Sequence, residues 1–295
     1  MDVIYRYDPY APLEARDVPD SDAARKRLVD GNEKFVDLVS RMQERTLGGG
    51  AGDPIVVPVS PLTMGLPLYP GAVPIQAPFA AIVGCADARV PTEQIFDQAF
   101  NDLFVLRVAG NVLSCEGLGS LHYALSSFEK SLKLIVVLGH SKCGAVSAAV
   151  DTYVNPHSYV DVATSHALRT VVDQLQIAVR SASLAICANG REVVCGLDER
   201  SHLTGVAVYV NAAVTALSLQ REIRTYGLHT PPVVFGVYDF DSLRVQDLPG
   251  SPRSGMRAAP SSADELTAYA DAVHHALMEM DAESQVRACK MTVHW

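Results

Sequence analysis

This sequence is short of charge and of aromatic rings: 19% of its 295 residues are Asp, Glu, Lys or Arg, 7% are Phe, Trp or Tyr, and Trp occurs once. With 48% apolar residues, so low a charge density excludes a disordered chain. Basic residues are in deficit, 24 Lys and Arg against 33 Asp and Glu, and the net charge is −9. That balance repels phosphate backbones and anionic lipid, so neither nucleic acid nor a membrane is expected as a partner. Six cysteines without tandem spacing are too sparse for a disulfide framework in a chain of this length. The opening MDVIYRYDPY has no basic segment followed by an apolar one, so no signal peptide is expected. The cytoplasm, where thiols stay reduced, is the expected compartment. Gly 20 and Pro 17 are too few for a fibrous protein. What is left is a soluble, acidic, globular protein, long enough to bury about 75% of its unfolded surface.

Charge is missing altogether from Pro54 to Ala86, a stretch long enough to span a bilayer. Pro54, Pro58, Pro61, Pro67, Pro70, Pro74 and Pro78 interrupt it, and no helix survives that density. It reads as an extended, largely buried arm, with a Pro-rich insertion at 48–78. Before it, Ser21 reads as an N-cap, and Ala24, Leu28, Phe35, Val39 and Met42 trace one helical face. Gly31 interrupts that helix at modest cost, and Gly48-Gly49-Gly50 ends it.

From Phe79 short apolar runs alternate with helical patterns. Phe79–Gly84, Leu103–Val108, Leu134–Gly139 and Pro232–Phe240 read as strands covered on both faces. Gly119–Lys130 reads as a helix. So do Val162–Val179, with Leu168, Val171, Leu175 and Val179 on one face, and Leu203–Arg221, with Val206, Val210, Val214 and Leu217. This alternation predicts an α/β fold, a mainly parallel β-sheet flanked by helices, with an N-terminal helical arm and a C-terminal helix. Residues 1–250 form a single α/β domain in this reading, and residues 251–295 a Pro/Ser linker (Ser251–Ser262) and a final helix (Asp264–Met280).

Ligand sites in a parallel sheet form beyond the carboxyl ends of strands. Two of these strands run into the most reactive side chains of the sequence, GCADAR at 84–89 and GHSKCG at 139–144. Cys85, His140 and Cys143 offer two thiolates and an imidazole, a Zn²⁺ ligand set with a fourth tetrahedral position left open or held by a carboxylate. A structural zinc site would show a second close Cys pair, which is missing, so the site has room for chemistry. If the backbone stays extended past the strand, Cys85, Asp87 and Arg89 project to the same side. The guanidinium can then hold the carboxylate bidentately beside the metal ligand, with Asp87 as fourth ligand or as an acceptor next to the metal. Cys115, Cys187, Cys195 and Cys289 read as small buried hydrophobes, Cys187 and Cys195 flanking a turn across which they could pair. The remaining histidines read as ordinary.

CADAR followed by HSKC resembles the signature of the β-class carbonic anhydrases, Cys-x-Asp-x-Arg and, some fifty residues on, His-x-x-Cys. The resemblance extends to LVDGNEKFV at 28–36, to the whole of 84–112 and to VYDF at 237–240, and covers about Ser21 to Gln246. Ala86 and Ala88 stand where the family usually has Ser. The resemblance implies one Zn²⁺ per chain held by Cys85, His140 and Cys143, and reversible hydration of carbon dioxide to bicarbonate and a proton. In carbonic anhydrases of another class, with three histidine ligands, zinc lowers the pKa of bound water from about 16 to about 7. Two thiolates make the metal a weaker Lewis acid, and Asp87 is expected to compensate by accepting a hydrogen bond from the attacking oxygen while Arg89 keeps it ionised. The resemblance further implies Gln76 as an amide donor to substrate, Phe104 and Tyr123 as pocket lining, and a homodimer or dimer of dimers embraced by the N-terminal helix. Two alternatives stay open: hydrolysis of carbonyl sulfide or carbon disulfide on the same scaffold, and a non-catalytic zinc-stabilised assembly subunit.

Overall fold

Runs of apolar residues with no polar alternation need cover on both sides, and Ala80–Gly84 (β3), Leu134–His140 (β5) and Val233–Tyr238 (β6) obtain it: every residue in them is buried. In the computed structural model, which describes residues 3–7, 18–48, 54–59, 70–71, 73, 75–188, 197–227 and 230–292, these strands form the middle of one sheet. In chain order the elements are β1 (Val3–Tyr7), α1 (Ser21–Leu47), β2 (Ile55–Val59), β3, α2 (Thr92–Ile95), β4 (Leu103–Arg107), α3 (Cys115–Ser127), β5, α4 (Gly144–Val154), α5 (Tyr159–Ala163), α6 (His166–Ala188), α7 (Leu197–Thr225), β6, β7 (Val245–Gln246), β8 (Arg257–Ala258) and α8 (Ala263–Thr292), with β1 and β2 paired to each other in a separate sheet. The sheet runs β4-β3-β5-β6-β7, with β8 also on β6. Its four longer strands are parallel, and β7 and β8 pair antiparallel to β6. The expected α/β architecture with a mainly parallel sheet is the observed one.

Strand alternation divides the core in two. Ala81, Val83, Ile135, Val137, Val233, Phe235 and Val237 face the layer of α3, α4, α6, α7 and α8. Ala80, Ile82, Leu134, Val136, Leu138 and Val234 face α1, where Ala24 and Leu28 meet them. The segment expected as a linker contributes β8, and α8 buries Tyr269, Ala270 and Val273 in the first of these cores. The edge strand β4 is covered less well, with its first four residues half-buried.

Several local expectations change. The cap of α1 is Asp20, whose carboxylate accepts from Ala23 N at 2.8 Å, one residue before Ser21. Its buried face is Ala24, Leu28, Gly31, Asn32 and Val36, while Phe35, Val39 and Met42 are only half-buried. Gly31 sits there because α1 crosses the Phe96 backbone: a Cβ at this position would overlap the Phe96 carbonyl oxygen. Asn32 beside it is fully buried and fully paired, donating to Ile95 O at 3.0 Å and Leu243 O at 3.1 Å and accepting from Val245 N at 2.8 Å. Leu168 is 49% exposed, at the start of α6 before the helix meets the core, whereas Leu175 and Val179 are buried. Cys115 and Cys187 are exposed free thiols rather than buried hydrophobes, because each lies on an outward helix face. Cys187 lies in α6, not in a hairpin, and Cys195 and the side chain of Cys289 lie outside the described residues. In the uncharged arm Ile55 is buried in the β1–β2 pair, but Val73 and Ile75 are each 85% exposed, so the described part of that arm is not uniformly buried.

Gly to Ala inside a helix ordinarily stabilises by about 1 kcal/mol. Gly31→Ala is expected to do the opposite, lowering stability by about 1–3 kcal/mol because α1 must shift off Phe96. A thermal denaturation midpoint at or above that of the parent would show that the close approach is not rigid.

Candidate metal centre

Parallel pairing sets Gly84 opposite Leu138, so β3 and β5 leave the sheet side by side. Cys85 follows the end of β3, His140 closes β5, and Cys143 caps α4. All three are buried, and their ligand atoms Sγ, N and Sγ lie within 4.8 Å of one another. Lys142, at φ 56, makes the tight bend between His140 and Cys143 that aims both at one point.

His140 Nδ1 lies 2.9 Å from Ser141 O, which fixes the proton on Nδ1 and leaves the lone pair on Nε2. That Nε2 is buried and makes no hydrogen bond among the described residues. An imidazole lone pair held dry between two sulfurs is the donor set a borderline-soft divalent metal takes, so the residues fit zinc. The two thiols hydrogen-bond each other. Cys85 is pushed down to about 4, chiefly by its hydrogen bond with Cys143, with His140 and the amide of Gly110 also favouring the thiolate against burial. Cys143 is raised by that same contact with Cys85 and by burial, against the pull of the Val146 and Ala145 amides at the start of α4.

Asp87 and Arg89 meet, though not through an extended strand. Val90 N donates to Asp87 O at 3.1 Å, so the chain turns, and Asp87 Oδ1 accepts from both the backbone N (2.9 Å) and Nε (3.0 Å) of Arg89. Arg89 Nη2 donates to Asp87 Oδ2 at 2.7 Å. These bonds hold the Asp87 carboxyl well below the usual carboxylate range, against a desolvation that would raise it. Oδ2 stands 3.9 Å from His140 Nε2, beside the metal position and bonded to Arg89.

The substrate-pocket candidates lie elsewhere in this chain. Gln76 is exposed, four residues before β3 begins. The flanking Ala77 N and Ile75 O bond Asn101 at 3.0 and 2.7 Å, just before β4 begins, which ties this segment to the amino end of the sheet. Phe104 pairs in register with Ala81, four residues and roughly 13 Å of strand from Cys85. Its ring packs 5.9 Å from Phe128, and Tyr123, 55% exposed, meets Phe128 edge-on at 5.7 Å. These rings make an aromatic cluster at the open edge of the sheet, not a lining of the centre within one chain.

Other residues serve the site without having been singled out by the motifs. Arg107 donates Nε to Cys85 O at 2.9 Å and Nη2 to Asp87 O, bracing the loop that bears both. Gly110 N donates to Cys85 Sγ at 3.3 Å from a turn in which Gly110 and Asn111 both have positive φ. Asn211 holds that turn from behind: 3% exposed, in the buried run Val206–Ala213 of α7, it donates Nδ2 to Gly110 O at 2.8 Å. A lone amide in an apolar helical run was the available signal. Phe240 lies under Arg89, whose guanidinium carbon is 4.4 Å from the ring centroid, and 5.4 Å from the ring of His140.

The family model described as carbonic anhydrase matches residues 80–224, which carry both motif loops. Carbonic anhydrase 2 of Mycobacterium tuberculosis is 41% identical over 128 residues. This segment belongs to the β-carbonic anhydrase family. The match covers 43% of this chain and 52% of the M. tuberculosis protein, so the chain spans about half the length of the curated relatives it matches. The carbonic anhydrase of Mycolicibacterium smegmatis is 38% identical over an equal length. A tetrameric beta-carbonic anhydrase of Sordaria macrospora superposes over 58% of this chain and 81% of its own, with TM-score 0.42 and 21% identity. Within the β-carbonic anhydrase segment lie Cys85, Asp87, Arg89, His140, Cys143 and Asn211. Phe240 lies beyond it.

Asn211→Leu removes a buried donor and leaves Gly110 O unpaired, an expected cost of about 1–3 kcal/mol. Because the turn also holds the Cys85 sulfur, retention of an added divalent metal against a chelator should fall about tenfold. Loss of stability with unaltered metal affinity would limit Asn211 to packing.

Proposed function

We propose that this protein is a zinc-dependent carbonic anhydrase that hydrates carbon dioxide reversibly to bicarbonate and a proton. The observation that carries the reading is the Asp87–Arg89 pair standing beside the Cys85, His140 and Cys143 cluster, since a zinc that only held the chain together needs no such pair. Cys85 Sγ, His140 Nε2 and Cys143 Sγ would hold the ion. Zinc when bound supplies a Lewis acid that makes hydroxide available near neutral pH. Asp87, kept ionised and aimed by Arg89, accepts a hydrogen bond through Oδ2 from the attacking oxygen and turns its lone pair towards carbon. Because the substrate is small and apolar, its approach needs hydrocarbon walls with few donors. A small cleft lined by Val83, Leu106, Val108, Val112, Leu118 and Leu121 lies on the face of the sheet that Cys85 shares with Val83. The exposed free thiols of Cys115 and Cys187 suit the reducing cytoplasm.

A homodimer, or a dimer of such dimers, belongs to the same proposal. The outer edge of β4 has no partner strand among the described residues, and Phe100 (67% exposed) and Tyr123 lie exposed near it. A second copy closing there would cover them. Phe104, roughly 13 Å of strand from Cys85, and Tyr123 of α3, packed with it around Phe128, would then approach a pocket of the second copy across that interface.

The test is zinc content together with stopped-flow hydration across pH 6–9 and a parallel assay of carbonyl sulfide hydrolysis. Hydration activity with one zinc per chain supports the reading; carbonyl sulfide turnover alone, or zinc without turnover, rejects it. Asp87→Asn should keep its zinc and lose hydration activity by about 10²-fold, and unchanged activity would remove Asp87 from the mechanism. Light scattering at micromolar concentration should give at least twice the chain mass; a monomer would contradict the interface.

A further inference from the structure

Arg89 poses a physical problem. Its side chain is 57% exposed while Asp87 is only 18% exposed, and an ion pair so open to water is worth little and is poorly fixed by charge alone. A long, flexible cation at the rim exchanges among solvated rotamers unless something other than its carboxylate restrains it. Among the described contacts three groups surround it. Asp87 takes the fork, Lys142 O accepts weakly from Nη2 at 3.4 Å, and the Phe240 ring lies under the guanidinium at 4.4 Å. Only the ring offers a broad, rigid face matching a planar cation.

Phe240 is itself anchored to the opposite loop. Its N–H donates to Ser141 Oγ at 2.9 Å, and Ser141 N–H donates to Tyr238 O at 2.9 Å, so the end of β6 is stitched to the residues between His140 and Cys143. Its ring also contacts His140 at 5.4 Å and is braced edge-on by Tyr238 at 5.5 Å. One side chain therefore touches both an expected metal ligand and the arginine that aims Asp87, linking the two motif loops through side chains.

We propose that Phe240 is a positioning residue of the centre: its ring fixes the Arg89 guanidinium so that the fork faces Asp87, and so holds Asp87 Oδ2 on arginine and away from the fourth coordination position. The second half rests on the zinc reading above, while the first is a property of the chain alone. Tyrosine keeps the aromatic face; leucine keeps bulk and hydrophobicity and loses it.

The experiment compares zinc-loaded wild type, Phe240→Tyr and Phe240→Leu by the ¹H–¹⁵N signal of Arg89 Nε, assigned by its loss in Arg89→Lys. In wild type and Phe240→Tyr this proton, bonded to Asp87 Oδ1, should exchange slowly with water. In Phe240→Leu its exchange should be about two- to fivefold faster, with zinc stoichiometry unchanged and kcat reduced more than KM is raised. Phe240→Met serves the same comparison should the leucine variant not fold. Equal exchange in all variants, or equal acceleration in tyrosine and leucine variants, overturns the proposal. A wild type without hydration activity would instead overturn the functional reading and leave the Arg89 comparison standing.

Discussion

Gly84 of β3 lies opposite Leu138 of β5, and this parallel register governs everything at the centre. A slip of one residue would turn Cys85 from the face it shares with Val83 and Cys143 to the face packed against α1. Register is held because both strands are buried on both sides, so every inward and outward side chain has a defined seat. The same pairing brings two loops from distant parts of the chain to one edge of the sheet, beyond the carboxyl ends of the strands.

Around that edge the chain resolves a conflict of charge. Two sulfurs, an imidazole and a carboxylate converge in a protein of net charge −9. Arg89 neutralises the carboxylate directly, and Arg107 uses its fork to brace the backbone of Cys85 and Asp87. Gly110 N and the amides opening α4 favour negative sulfur without adding mobile charge. Fixed amides and restrained guanidiniums do work that water would do at an exposed site, and they do so without reorganising.

How much was legible depended on whether a signal was local. Strands β3, β5 and β6 could be read because full burial on both faces imposes an uninterrupted apolar run. The ligand set could be read because Cys, His and Cys are individually rare at strand ends and jointly suited to one ion. On α1 the buried Ala24 and Leu28 were legible, but the later part of its face was misjudged because the contact there is made by the two residues that look least like core, Gly31 against Phe96 and Asn32 with its backbone partners. Cys115 and Cys187 were misjudged because propensity for burial says nothing about which way a helix face points. Gln76, Phe104 and Tyr123 came from a resemblance, and one chain does not bring them to the ligands.

Sequence alone therefore determined the long helices and the four parallel strands of the sheet, and the identity of the side chains able to bind a metal, because periodicity and donor chemistry are written in neighbouring residues. Tertiary structure alone decided that Asp87 turns back onto Arg89, that Asn211 steadies the sulfur-binding turn from another helix, and that Phe240 lies beneath the guanidinium. Each joins groups far apart along the chain or fixes a turn whose geometry depends on such a partner. Contacts of that kind follow from how the helices and strands pack, which no local pattern encodes.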